Sequence, residues 1–207
     1  MKSFKSKHTL FATSMGSLHI ITSMMYGGKT TYLMRIIETM GRALKILYIN
    51  HKIDTRSDMP YSTHSLTLDN NLQDKLNVTM IMADTLTEIP DDTLSKYPIV
   101  CIDEAQFFSD LKDGVNHMVD DLKCEVYVAG LNGDYKRNKF GQIAELVPHA
   151  DTFTLLRDTL CSFCSAKGIR KTAIFTHRIK DVSGEQIEIG SCNYTPLCRN
   201  CFNENNK

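Results

Sequence analysis

A stretch near the start of the chain, SMMYGGKTT at residues 23–31, has the residue types of a phosphate-binding loop. In the pattern G-x-x-x-x-G-K-[ST], the lysine reaches the β and γ phosphates of a nucleotide and the hydroxyl ligates Mg2+. Lys29 and Thr30 stand in these two positions, while Ser23 takes the place of the first glycine. The sequence therefore predicts a phosphate loop with one departure from the pattern.

The backbone of this loop is expected to supply most of the contacts with an anion. We expect the N–H groups of residues 26–30 to surround it at the positive end of the following helix. Gly27 and Gly28 are expected to leave out side chains that would block its approach. The alternative is an ordinary Gly-Gly turn before a helix.

Two adjacent acids, Asp103 and Glu104, directly follow the apolar run IVCI. Open α/β sheets place ligands at the carboxyl ends of such buried strands. Asp103 is predicted to hold Mg2+, directly or through water, and Glu104 beside it has the chemistry of a general base. The alternative is a solvated turn, which a phosphate loop in the same chain disfavours.

Four of the seven cysteines form two C-x2-C pairs in the last quarter of the chain. They are Cys161, Cys164, Cys198 and Cys201. Two such pairs complete the tetrahedral shell of a structural zinc. The alternatives are unrelated cysteines or disulfides, and disulfides are disfavoured because no secretory signal is visible. The other three, Cys101, Cys124 and Cys192, are predicted to pack.

An alternation of strands and helices must position these groups. Residues 17–22 are predicted as a buried strand and residues 30–40 as a helix ended by Gly41, which gives the phosphate loop its required setting. Further strands are predicted at 45–50, 77–82, 99–103 and 125–130, with a helix over 107–122. This order favours an α/β fold with a mostly parallel sheet flanked by helices.

Length and composition indicate one domain with a small appendage. With 207 residues, 42% of them apolar, we predict a flexible tail at 1–16, a nucleotide-binding core at 17–158 and a zinc-binding module at 159–207. Basic and acidic residues balance at 24 each, so no strong field attracts nucleic acid or a membrane surface. No apolar run reaches the roughly 18 residues of a membrane span, and the chain is expected to be soluble.

Several motifs match one known family in order and spacing over residues 17–202. They are SMMYGGKTT, DTR at 54–56, DEAQFF at 103–108, AGLNGDYKRNKFGQI at 129–143, AIFTHR at 173–178, and YTPLCRNC at 194–201 with its upstream CSFC. In these motifs the chain resembles the zinc-containing thymidine kinases, the cytosolic type found in animals, bacteria and large DNA viruses.

The resemblance implies a P-loop kinase core and a zinc module whose long loop folds over the nucleoside. It implies transfer of the γ-phosphoryl group of ATP to the 5′-hydroxyl of thymidine, with Glu104 taking the hydroxyl proton. The implied cofactors are ATP, Mg2+ and structural Zn2+. The family likeness further implies feedback inhibition by dTTP, a homotetramer and a cytoplasmic location.

The resemblance also implies individual contacts. Those implied for ATP and its phosphates are Ser23, Met24, Met25, Tyr26, Gly27, Gly28, Lys29, Thr30, Thr31, Asp54, Arg56 and Arg178, with Thr30 and Asp103 on magnesium. Those implied for thymidine are Met25, Phe107, Leu131, Tyr135, Phe140, Thr176, Ile187, Ile189, Gly190 and Tyr194. Read without the resemblance, the aromatic side chains among them are equally compatible with ordinary core packing.

The chain departs from the family pattern at several positions. Ser23 replaces the first loop glycine, Met24 stands where proline is usual, and Gly27 is an added glycine. Asn132 takes a place usually held by aspartate, and residues 187–194 form a shorter segment than is common.

Three other classes of protein share single motifs with the chain. DEAQ after a strand also occurs in helicases, which need two ATPase domains. NKFG at 138–141 resembles the NKxD motif of GTPases but lacks its aspartate. The non-enzymatic alternative is a zinc-ribbon interaction module with a degenerate phosphate loop.

Overall fold

The computed structural model describes residues 15–54, 76–179, 186 and 193–206. The strands in these residues are β1 (Ser17–Ser23), β2 (Ile46–His51), β3 (Val78–Ala83), β4 (Ile99–Ile102), β5 (Glu125–Leu131), β6 (Thr152–Leu155), β7 (Phe175–Arg178) and β8 (Tyr194–Leu197). The helices are α1 (Lys29–Met40), α2 (Asp91–Leu94), α3 (Leu111–Asn116), α4 (Ile143–Leu146), α5 (Ser162–Ser165) and α6 (Arg199–Asn205).

The first six strands form one parallel sheet in the order β3-β2-β4-β5-β1-β6. Ser17 pairs with Glu125 and Ser23 with Leu131, so β1 and β5 run together over their whole length. The carboxyl ends of β1, β4 and β5 therefore meet at one edge, which carries the phosphate loop and the paired acids. The predicted α/β fold with a mostly parallel sheet is confirmed.

Alternate side chains of the sheet enter two separate core layers, as the period of a β-strand requires. In β1, Leu18 and Ile20 pack in a layer with residues of α3, while Ile21 packs in the other layer with residues of α1. Burial on both faces explains why these strands are nearly continuous apolar runs, and why five of them were predicted to within a residue.

Two elements differ from the sequence prediction. Strand β6 was not predicted, because the short segment TFTL at the sheet edge is only partly buried. The predicted helix 107–122 begins at Leu111 and continues as a π-helical turn, His117–Asp121. Its expected start is instead a 3-10 turn, Ala105–Phe107. The Asp110 carboxylate, directly before α3, accepts the backbone N–H groups of Leu86 and Thr87.

The C-terminal part is a small unit in which β7 and β8 pair antiparallel beside α5 and α6. Its core contains the four paired cysteines together with Ala173, Leu197 and Phe202. Met24 of the phosphate loop packs in the same core. The unit therefore rests directly on the loop, although the division at 158 and 159 stays a prediction.

Some predicted features lie outside the described residues. They are the tail up to residue 14, Arg56, Cys192, and Ile187, Ile189 and Gly190. Within the part of the chain that is described, no helix has the length and apolar character needed to cross a membrane.

His117 connects two helical segments through its two ring nitrogens. Nε2 lies 3.0 Å from the Asp91 carboxylate and Nδ1 lies 2.8 Å from that of Asp121, and these bonds raise the pKa of His117. A raised folded-state pKa means that the contribution to stability is full below the unfolded value of about 6.5 and is lost as pH rises through the folded value.

We therefore expect His117→Gln to lower the free energy of unfolding below pH 6.5, by at most about 1 kcal/mol for an exposed pair. The difference from wild type should disappear at alkaline pH. Urea unfolding at several pH values measures it, with His149→Gln, a change at an exposed position, as the control. A deficit that is equal at all pH values would contradict this role of the ion pairs.

Candidate active site

The segment between β1 and α1 curls tightly around the Met24 carbonyl oxygen. Gly27 donates its N–H to this oxygen at 3.2 Å, and the buried Lys29 donates to it from Nζ at 3.3 Å. Tyr26 and Gly28 have φ of 62° and 82°, so the chain reverses direction twice before α1 begins at Lys29. This geometry sets a loop at the positive end of a 12-residue helix, where an anion is stabilised.

The two loop glycines have different surroundings. At Gly28 a Cβ would meet no atom within 4 Å, and the positive φ is what requires glycine there. At Gly27 a Cβ would lie 2.0 Å from Ser23 Oγ. The space that Gly27 leaves open thus faces Ser23, inside the loop, and not an incoming phosphate as the sequence had led us to expect.

The Asp103 carboxylate lies at the carboxyl end of β4 among hydrogen-bond donors. It accepts the Glu104 N–H at 2.9 Å and the Tyr48 hydroxyl at 3.0 Å, and the Thr30 hydroxyl also bonds to it. Burial, followed by the charge of Glu104, raises the pKa of Asp103 to about 6, against the opposing effects of Thr30 and Lys29. Thr30 and Asp103, both predicted for magnesium, are thus in contact, and their oxygens are the ligand type that Mg2+ prefers.

A third carboxylate, that of Asp54, lies near those of Asp103 and Glu104. Burial raises the pKa of Tyr48 well above its ordinary value, and the charges of Asp103, Glu104 and Asp54 raise it further. Asp54 is itself buried and accepts a hydrogen bond from Asn50 Nδ2 at 3.2 Å. Three buried acids beside a loop lysine make this edge of the sheet a site that favours cations.

Gln106 connects Glu104 to strand β5. Its Nε2 donates to Glu104 Oε2 at 2.5 Å, and its Oε1 accepts the Leu131 N–H at 3.0 Å. Glu104 has a φ of 48°, so the turn that carries it is held in an unusual conformation for a residue with a side chain. Sequence reasoning assigned no role to Gln106 or Tyr48. The motif DEAQFF contained Gln106, whereas nothing in the apolar run of β2 distinguished Tyr48.

Several residues predicted for thymidine lie in contact with one another or with the loop. Phe107 and Phe140 meet edge to face, with ring centroids 5.7 Å apart. The Met25 N–H donates to Thr176 Oγ1 at 3.0 Å, so a predicted nucleoside residue of β7 contacts the phosphate loop. Aromatic and apolar walls with a few polar groups are what a flat base requires.

Arg178, which was predicted to lie near the phosphates, is buried beside two residues that were predicted to bind the nucleoside, Tyr135 and Tyr194. Its guanidinium lies 3.7 Å from the centre of the Tyr135 ring and donates to the Tyr194 hydroxyl at 2.8 Å. It also donates to the Gln186 carbonyl at 3.3 Å, while Gln186 Nε2 donates to Asp134 at 2.9 Å. The guanidinium therefore joins three segments of the chain, and its assignment to the phosphates stays a prediction.

The four paired cysteines form one cluster of free thiols whose sulfur atoms all lie within 4.8 Å of one another. Cys164 Sγ is 3.8 Å from Cys198 Sγ and 3.6 Å from Cys201 Sγ. A tetrahedron of zinc–sulfur bonds about 2.3 Å long separates its sulfurs by about 3.8 Å. Burial and the neighbouring thiols raise the pKa of Cys201 to about 12, whereas, against the effect of burial, hydrogen bonds from the neighbouring cysteines lower that of Cys161 to about 7. The cluster fits zinc.

Comparison with known proteins assigns the family. A family model described as thymidine kinase matches residues 16–202. The chain belongs to the thymidine kinase family. The thymidine kinase of Choristoneura fumiferana entomopoxvirus is 34% identical over 201 residues, which cover 92% of this chain and 98% of the relative. That of Amsacta moorei entomopoxvirus is 35% identical over 191 residues, with 90% and 98% covered.

A plant relative extends this match beyond viruses. Thymidine kinase a of Arabidopsis thaliana is 31% identical over 191 residues, covering 89% of this chain and 74% of the relative. The resemblance stated from the motifs is confirmed, and the kinase class of enzyme follows from it. The roles of single residues in this thymidine kinase family member stay predictions, supported by the contacts described above.

The cysteine cluster gives a direct test of metal binding. Because a structural zinc in small peptides contributes about 10–16 kcal/mol of apparent binding energy, losing one ligand should remove the metal and loosen the C-terminal unit. We expect Cys164→Ser to purify with little zinc and a lowered Tm, as measured by elemental analysis and thermal unfolding. Cys124→Ala, which removes a buried thiol outside the cluster, should keep its zinc. Folded wild-type protein without zinc would exclude the site.

Proposed function

We propose that the chain transfers the γ-phosphoryl group of ATP to the 5′-hydroxyl of thymidine, giving dTMP and ADP in nucleotide salvage for DNA synthesis. Besides membership of the family, one observation supports this proposal. Thr30 of the phosphate loop bonds to Asp103, and Asp103 adjoins Glu104, so the phosphate-binding and proton-accepting groups lie side by side.

The phosphate loop is proposed to bind the triphosphate. Backbone N–H groups of residues 26–30 would surround its oxygens, and Lys29 would exchange the Met24 carbonyl for the β and γ phosphates. Thr30 and Asp103 would hold Mg2+, which supplies charge neutralisation on the phosphates when bound. Asp103 would bind Mg2+ in its ionised form, and its hydrogen bond with Thr30 keeps the two proposed ligand oxygens next to each other.

Glu104 is proposed as the general base. Its carboxylate accepts the proton of the thymidine 5′-hydroxyl as that oxygen bonds to the γ phosphorus and the bond from the γ phosphorus to the bridging oxygen of ADP breaks. Gln106 donates to one carboxylate oxygen of Glu104 and so restrains the orientation of the carboxylate. The link from Gln106 to Leu131 fixes this orientation relative to β5.

The aromatic groups near the loop are proposed to enclose the thymine ring. Phe107 and Phe140 would supply an apolar wall, and Tyr135, held beneath the Arg178 guanidinium, would supply another. Thr176 contacts Met25, and Leu131 contacts Gln106, the residue next to Phe107, through the hydrogen bonds described above. Such a site suits a flat, weakly polar pyrimidine.

The remaining properties are proposed from the family resemblance. They are a homotetrameric assembly, feedback inhibition by dTTP, a cytoplasmic location, and contributions to binding from Arg56, Ile187, Ile189 and Gly190. The balance of charges in the sequence supports a protein without a nucleic-acid partner.

The proposed reaction is tested by measuring ADP release with a panel of nucleosides and nucleotide donors. Thymidine with Mg·ATP should give ADP and dTMP in equal amounts, and purine nucleosides should give little. ADP release stimulated by DNA would favour the helicase class, and release of GDP and phosphate from GTP without any nucleoside would favour a GTPase. Absence of nucleoside-dependent release from folded, zinc-loaded protein would contradict the proposal.

Glu104→Gln tests the general base, because glutamine keeps the size of glutamate and cannot accept the proton. We expect kcat to fall by about 10²- to 10⁴-fold while the affinity for ATP changes little. Glu88→Gln is the matched control, since Glu88 is an acid that pairs with Lys52 on the surface. Near-normal turnover in the Glu104 variant would remove this residue from the role.

A further inference from the structure

Ser23 and Gly27 face each other across the phosphate loop. A Cβ on residue 27 would lie 2.0 Å from Ser23 Oγ, 2.5 Å from Ser23 Cβ and 2.9 Å from the Met24 carbonyl oxygen. Rotation of the serine hydroxyl would relieve only the first of these contacts, because the serine Cβ is fixed to the backbone. Glycine at 27 is therefore required mainly by the Ser23 side chain, whose atoms make the two shortest contacts, and to a smaller extent by the Met24 carbonyl oxygen.

Ser23 also contributes to the contacts of the Met24 carbonyl. Its hydroxyl donates to that oxygen at 2.9 Å, a shorter distance than those from the Gly27 N–H at 3.2 Å and from Lys29 Nζ at 3.3 Å. A carbonyl oxygen has two lone pairs, so three donors share them. With Ser23 and Gly27 in place, this oxygen keeps two partners when the lysine turns toward a phosphate.

We propose that Ser23 is a positioning residue of the phosphate loop, acting through the Met24 carbonyl to favour the phosphate-directed position of Lys29. Its side chain also occupies the space that a side chain at residue 27 would need. The serine at 23 in place of the first glycine and the added glycine at 27 are thus linked. The serine adds a side chain inside the loop, and the glycine leaves room for it. The inference takes its ligand, the triphosphate of ATP, from the proposed function.

The steric part is tested with three variants and a direct measurement of Mg·ATP affinity by calorimetry, without thymidine. Gly27→Ala should weaken binding by roughly tenfold or more, because an overpacked loop must shift. Ser23→Gly combined with Gly27→Ala should recover part of this loss, because the two shortest contacts are removed while the contact with the Met24 carbonyl oxygen at 2.9 Å stays. Ser23→Ala combined with Gly27→Ala should not, since the Cβ that would lie 2.5 Å away stays in place.

The hydroxyl is tested with Ser23→Ala in two backgrounds. Alone, it should raise the Kd for Mg·ATP by about three- to tenfold, the effect of one hydrogen bond, and leave the Kd for thymidine unchanged. In a Lys29→Ala background, measured up to millimolar ATP, the same change should have no further effect, because the hydroxyl acts through the lysine. A merely structural hydroxyl would give the same loss in both backgrounds.

The outcomes separate this inference from the proposed function. Equal affinities for the two double variants at 23 and 27 would overturn the steric pairing, and a persistent Ser23→Ala effect without Lys29 would overturn the action through the lysine. Wild-type protein that binds Mg·ATP but does not phosphorylate thymidine would contradict the proposed function alone. Wild-type protein that binds no Mg·ATP would overturn both.

Discussion

The attachment of the C-terminal unit to the phosphate loop is the contact on which the candidate site depends. Three consecutive loop residues take part in it. Met24 packs among the paired cysteines, the Met25 N–H donates to Thr176, and the Tyr26 carbonyl accepts the Thr159 hydroxyl at 2.7 Å. The cysteine cluster lies in the core of the unit that contacts the backbone of the loop, so a metal bound to the cysteines would influence the loop without touching it.

A second constraint is the burial of negative charge at the carboxyl edge of the sheet. Desolvation and the neighbouring Glu104 make the ionised form of Asp103 unfavourable, as its raised pKa shows. The charge is tolerated because Thr30, Tyr48 and a backbone N–H donate to it and because Lys29 lies nearby. A cation at this edge would offset the buried negative charge, and the proposed binding of Mg2+ rests on this same burial.

The sequence was sufficient for the strands that matter most to the site. Parallel strands buried on both faces appear as continuous apolar runs, and the motif residues stand directly after β1 and β4. Strand β6 was missed because it has only four residues and none of them is fully buried, so its apolar pattern is weak. The start of α3 was misplaced because the backbone is extended at Phe108, after the 3-10 turn, an interruption that helical periodicity does not encode.

Side-chain partnerships were harder to predict than the residues that make them. The motifs named Glu104, Tyr135 and Arg178, yet the sequence did not show that Gln106 orients the first, or that the guanidinium lies on the ring of the second. The first contact lies within one unusual turn, between residues two positions apart, whereas the second joins distant segments, and one chain read alone gives no information about which distant side chains meet. Tyr48 illustrates the same limit, because a hydroxyl at the end of an aromatic ring looks like core until its acceptor is known.

The phosphate loop shows why a pattern read position by position is incomplete. Measured against G-x-x-x-x-G-K-[ST], the serine at 23 counts as a defect and the glycine at 27 counts as neutral. In three dimensions the two positions share one small volume, which does not hold a side chain from both residues. The physical requirement therefore concerns the two positions together: the Ser23 side chain occupies this volume, Gly27 leaves room for it, and Gly28 supplies the left-handed conformation before α1.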